Sequence, residues 1–230
     1  MGTERIPFCL GSFQDKSVVV LRSNAPVWLA VVIGLAAVAL PRAVGQDGGF
    51  TTHERDALGR GELVARPRNE VQGDRTWIGG TSYQQVGRPR TEVWRGVRDV
   101  GRWHDMLPET RETRAERAEG DAQFVGVRHS YGPIDARYTL RVQFDETAHR
   151  ASFEVEPTRP HDVRAAHGFL EVHNWPGDPT RSLLVWAVLA DPGDNPLVGM
   201  VMGDIQYWTL RVPSTMRGFL EGAGAELYRD

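Results

Sequence analysis

Seven histidines give this sequence its most visible chemical potential. His161, His167 and His173 stand six residues apart. On an extended strand that spacing keeps the rings on one face but separates neighbours by roughly 20 Å, too far to share an ion. No His-x-His pair and no His-Glu-x-x-His pair occurs, so the sequence predicts no metal site and no cofactor. A Gly-x-Ser-x-Gly elbow for acyl transfer is absent, and so is a phosphate-cradling glycine loop.

More promising are polar residues that alternate with apolar ones. His129 and Tyr131 share a strand face with Val125 and Val127, and Tyr138 shares one with Leu140, Val142 and Phe144. His167 falls on the face of Phe169, and Trp186 on that of Val188. If those faces point inward, His129, Tyr131, Tyr138, His167 and Trp186 offer hydrogen bonds inside an otherwise apolar space. That is the usual makeup of a small-molecule pocket. A histidine there also titrates near neutral pH and could act as a general acid or base. Arg137 and Asp135, beside the same turn, read as a surface pair.

The elements that must position these residues are legible from periodicity. Trp77 to Val86 reads as a strand. Val93, Val97 and Val100 mark a helix opened by Pro89 and closed by Gly101, and Trp103, Met106 and Leu107 mark a shorter one ended by Pro108. From Thr110 onward, period-2 segments are separated by turn residues, as in an antiparallel meander. The mixed-charge run Arg111 to Glu119 reads as an exposed edge. Asn195 and Pro196 then supply an N-cap and a first-turn proline. Leu197, Val201, Ile205, Trp208, Val212, Met216 and Phe219 follow at steps of 4, 4, 3, 4, 4 and 3. The pattern predicts one continuous amphipathic helix, kinked by Pro213, with Val201, Ile205 and Trp208 closing the pocket. Gly199 and Gly203 would let a strand or ligand approach it. The fold class is α+β: a curved antiparallel sheet, two short helices and a long C-terminal helix in a helix-grip arrangement.

The N-terminal part differs in character. Pro26 to Leu40 is fifteen uncharged residues, preceded by Arg22 and followed by Ala43 and Gly45. The run is short for a membrane span and has the layout of a signal peptide cut before Gln46. A retained membrane anchor is the other reading. Residues 1–45 are therefore expected to be a signal peptide or anchor, 46–75 a polar linker, and 76–230 the folded domain. The expected location is exported, periplasmic or extracellular, or else tethered through 26–40 with membrane contact there. Cys9 is the only cysteine, so no intramolecular disulfide forms. Net charge is −3 with a single lysine, Lys16, which gives no basic field to recruit nucleic acid.

The segment Glu92-Val-Trp-Arg-Gly-Val-Arg-Asp-Val-Gly-Arg-Trp-His-Asp-Met-Leu-Pro108 resembles the opening of the START-like (SRPBCC) superfamily. His167-Gly-Phe-Leu-Glu-Val172 and the closing helix resemble its later blocks. That superfamily includes polyketide cyclases and dehydratases, plant pathogenesis-related allergens and coenzyme Q-binding proteins. The resemblance spans about residues 76–225 and transfers no catalytic residue. It implies an apolar ligand, such as a lipid, quinone, isoprenoid or polyketide-like molecule, bound without catalysis. A cyclase- or dehydratase-like enzyme using an inward His and Tyr is the alternative, and a non-catalytic envelope interaction or stress protein is a third reading.

Overall fold

The computed structural model describes residues 49–132, 134–194 and 196–229, with only the backbone of Pro196 and Leu197. The apolar run 26–40, the cleavage position before Gln46, Cys9 and the Asn195 cap lie outside the described residues.

Eight strands form one antiparallel sheet: β1 (Val64–Gln72), β2 (Arg75–Val86), β3 (Thr110–Ala115), β4 (Ala122–Tyr131), β5 (Ile134–Asp145), β6 (Arg150–Val155), β7 (Ala165–Trp175) and β8 (Asp178–Asp191). Their order is β1-β2-β8-β7-β6-β5-β4-β3. From β3 to β8 the chain meanders, each strand pairing with the next, and β8 returns beside β2. Among the described residues six α-helices accompany the sheet, α1 (Thr52–Gly59), α2 (Arg90–Arg98), α3 (Trp103–Met106), α4 (Pro196–Met200), α5 (Met202–Leu210) and α6 (Val212–Glu221), with a 3-10 turn, Val100–Arg102, between α2 and α3.

Side-chain alternation sorts the sheet into two faces. On the concave face, Val125, Leu140, Val142, Phe153, Leu170, Leu184 and Trp186 join Val93, Val97 and Trp103 of the short helices and Met216 and Leu220 of α6 in the main core. On the convex face, Tyr83, Phe169, Val185 and Ala187 pack with Ala57 and Leu58 in a second cluster.

That second cluster corrects the expectation of a linker over 46–75, which holds both α1 and β1. Thr51 and Glu54 make a capping box that starts α1 despite its polar sequence. β1 pairs with β2 along its whole length, from Val64↔Tyr83 to Gln72↔Arg75. Only Val64 of β1 is buried, because an edge strand solvated on both faces needs no apolar alternation. The legible signal was the Gly73-Asp74 turn, with Gly73 at φ 64°, where a two-residue hairpin loop demands a positive φ.

The C-terminal helix is also not one rod. It breaks at Val201 and again at Arg211, giving three segments. The second break is the expected effect of Pro213, which sits in the first turn of α6 and cannot accept the helix running into it. Gly199 and Gly203 face open space, with no atom within reach of an added Cβ. No strand approaches them, and neither lines the cavity described below. The close backbone approach is at Gly79 and Gly80 of β2 instead, at φ 148° and 138°. There a Cβ would strike the carbonyls of Val188 and Arg66, and Gln206 of α5 donates to the Gly79 carbonyl at 3.0 Å.

Candidate functional site

A cavity of about 190 Å³ lies between the concave face and the C-terminal helix. Its walls follow from register. Trp186, Val188 and Ala190 step by two along β8 and so all point inward, and Ala166 pairs with Ala190 across β7. The Phe153 and Trp186 rings stack at 4.8 Å to make the floor. Ile205, Trp208 and Thr209 of α5 and Val212 of α6 form the roof. At the mouth, Tyr131 ends β4 and meets Trp208 edge-on, ring centroids 3.8 Å apart.

One hydrogen-bonded cluster is built into the wall, which also carries the buried Nε1 of Trp186 without a hydrogen-bond partner. Thr110 and His129 are directly opposed in the β3–β4 ladder, while Tyr138 is diagonal to His129 because its own partner is Val127. Opposed and diagonal neighbours on one face are within reach, and the three side chains join. Thr110 Oγ1 lies 3.0 Å from His129 Nδ1, and His129 Nε2 lies 2.7 Å from the Tyr138 hydroxyl. A β-bulge between Thr110 and Glu112 and a positive φ of 54° at Glu109 bend the chain to bring Thr110 into place. Thr110 in turn donates to the Pro108 carbonyl at 3.3 Å.

Burial governs both titrating groups. Desolvation pulls His129 below the ordinary imidazole value, against carbonyls of Glu109 and Pro108 that pull the other way. The same effect pushes the Tyr138 phenol far above its usual value. The pair is therefore neutral around pH 7: a phenol beside an imidazole, with no formal charge.

Of the eight residues expected at the site, His129, Tyr131, Tyr138, Trp186, Ile205 and Trp208 line this cavity. Two do not. Val201 falls at the break between α4 and α5, where the helix turns away. His167 lies on the opposite face of the sheet, edge-on to Trp77 at 5.0 Å. Its parity with Phe169 was read correctly, but Phe169 belongs to the convex cluster under α1. With α1 taken for linker, nothing in the sequence marked that face as covered. Thr110, Glu109 and Phe153 were missed; only the register, which the sequence does not print, puts Thr110 opposite His129. Among the described residues no group of His, Cys, Asp or Glu could hold a metal ion.

Residues 86–212 match the family described as polyketide cyclase/dehydrase and lipid transport. The chain belongs to that family. The family's description and the aromatic cavity agree on an apolar small molecule as ligand. A Thermus thermophilus protein superposes with a TM-score of 0.52 at 12% identity, over 62% of this chain and 97% of its own. A STAR-related lipid transfer protein from Xanthomonas axonopodis gives 0.51 at 15%, over 67% and 93%. A Streptomyces aromatase/cyclase gives 0.48 at 14%, over 69% and 99%. At these identities the likeness is one of fold. No curated protein matches the chain.

Proposed function

We propose that this protein binds and carries an apolar small molecule of the lipid, quinone, isoprenoid or polyketide-like kind, without transforming it, outside the cytoplasm. The observation that carries the reading is the composition of the cavity wall. It is apolar and aromatic, with one buried hydrogen-bonding pair whose members are both held uncharged. Such a wall orients a ligand while burying its apolar surface. The proposed location rests on the signal-like run from Pro26 to Leu40.

A second reading has a specific observation in its favour. The 2.7 Å bond from Tyr138 to His129 could relay a proton from a bound molecule, as a cyclase- or dehydratase-like enzyme requires. Native mass spectrometry of the full chain from its own host tests the binding reading. An apolar molecule should co-purify with the wild type and be absent from Ala190→Phe, which fills the cavity from β8. An empty wild-type protein would overturn it. Recovery of the molecule in chemically altered form after incubation would favour the enzyme.

A further inference from the structure

The cavity wall also limits which apolar molecules can enter, an inference that rests on the binding reading above. Three observations converge. The first is size: about 190 Å³ is a little more than the roughly 150 Å³ of an apolar protein cavity that admits benzene, so the space holds on the order of ten heavy atoms. A long acyl or isoprenoid chain does not fit inside it. The second is charge. Among the described residues lining the cavity there is no lysine or arginine, and the two charged ones, Glu109 and Asp162, are both acidic and both exposed. An anion would therefore be desolvated there with no cation to pair with.

The third is the direction of the hydrogen bonds. Thr110 Oγ1 reaches both the Pro108 carbonyl, which can only accept, and Nδ1 of His129; we assign its proton to the carbonyl, which makes it the acceptor toward His129. Nδ1 of His129 therefore carries the ring proton and Nε2 is bare. This tautomer also suits the neighbouring carbonyls of Glu109 and Pro108. Nε2 must then accept from the Tyr138 hydroxyl. The chain of donors runs from Tyr138 through His129 and Thr110 to Pro108. What remains at its cavity end is the lone pair of the Tyr138 oxygen, an acceptor.

We infer that the cavity takes a compact, uncharged ring compound bearing a hydroxyl, a phenol or cyclic alcohol of about ten heavy atoms, whose O–H donates to Tyr138. The aromatic walls, with Trp186 stacked on Phe153 and Trp208 against Tyr131, suit a flat ring.

Titration calorimetry of the full chain with 2-naphthol, naphthalene, 2-naphthoate and palmitate tests this. 2-Naphthol should bind about tenfold more tightly than naphthalene, and neither 2-naphthoate nor palmitate should compete with it. In Tyr138→Phe the preference for 2-naphthol over naphthalene should vanish while naphthalene still binds. Comparable or tighter binding of either acid overturns the inference, as does a wild-type protein that does not distinguish 2-naphthol from naphthalene. That last comparison needs no variant and so survives any folding defect in Tyr138→Phe. If an acid or a long chain binds, the carrier reading stands and only the ligand class falls. If no molecule co-purifies and none of the four binds, both fall.

Discussion

α5 and α6 are successive stretches of one amphipathic pattern, yet the structure treats them differently. Four residues of α6 are buried, Val212, Pro213, Met216 and Leu220, against only Leu210 in α5. α6 is also tied through its C-terminal half. Glu221 accepts the Gly87 N–H at 2.6 Å and the Arg217 guanidinium at 2.9 Å, and Arg217 in turn donates to the Gly61 carbonyl. α5 holds to the sheet mainly through Gln206, while Tyr207 is 57% exposed and Met200 just before it 83%. The difference teaches which half does what. α6 is core, completed by α2, α3 and the concave face. α5 is the roof of a space that the protein leaves unfilled, and so has less to pack against. Low packing over a cavity is where local opening is expected first.

The comparison breaks most visibly through truncation. Met216→Ala removes a side chain that is 1% exposed and should cost 2–5 kcal/mol, read as a shift in urea midpoint at constant slope. Trp208→Ala in α5, although larger, should cost only about 1 kcal/mol while abolishing ligand binding. Equal losses would contradict the division of the helix.

The seat of α6 can be attacked from its partner. Gly96 of α2 lies against Leu220, whose methyl would meet an added Cβ. Gly96→Ala should destabilise by about 1–3 kcal/mol through overpacking, seen as a lower thermal midpoint. A neutral result would mean that Leu220 swings aside freely.

Acid should weaken the fold, in part through the cavity wall. His129 has a folded pKa below the ordinary imidazole value near 6.5 because of burial, so the unfolded chain binds the proton more readily. Stability is thus full above that value and declines as pH falls below it toward the lower folded pKa. Urea midpoints at pH 7.5 and 5.5 should show the drop, and His129→Gln should make it smaller. His167 shifts in the same direction for the same first cause, so a residual slope in that variant is expected.

The smallest effect has the opposite sign. Gly203 faces open space within α5 and does not need a positive φ. Gly203→Ala should therefore stabilise by about 0.5–1 kcal/mol, measured by the same midpoint. Destabilisation would show that α5 is more closely packed than its exposure implies.

Most of the scaffold was legible because its signals are local. The α2 valines, the turn residues between strands and the apolar steps of the last helix each lie within a window that periodicity can read. What was not legible depended on pairing. The face of β7 that carries His167 looks the same in sequence whether it meets solvent, a cavity or α1. β1 hides its strand character because an edge needs no buried face. Thr110 gains its place only from being opposite His129 across a bulge. The break at Val201 has no proline or glycine at that position to announce it, whereas Pro213 announced the other.

The central claim is that the space beneath α5 holds a small apolar molecule while α6 beyond Val212, its one residue in the roof, does not respond to it. Amide hydrogen exchange on the full chain, before and after its co-purified molecule is extracted, tests this most directly. The account predicts faster exchange after extraction in α5 and in the β4–β5 hairpin that carries Tyr131, with α6 after Val212 unchanged. Exchange that is identical in both states, or that changes only in α6 and on the convex face, would contradict it.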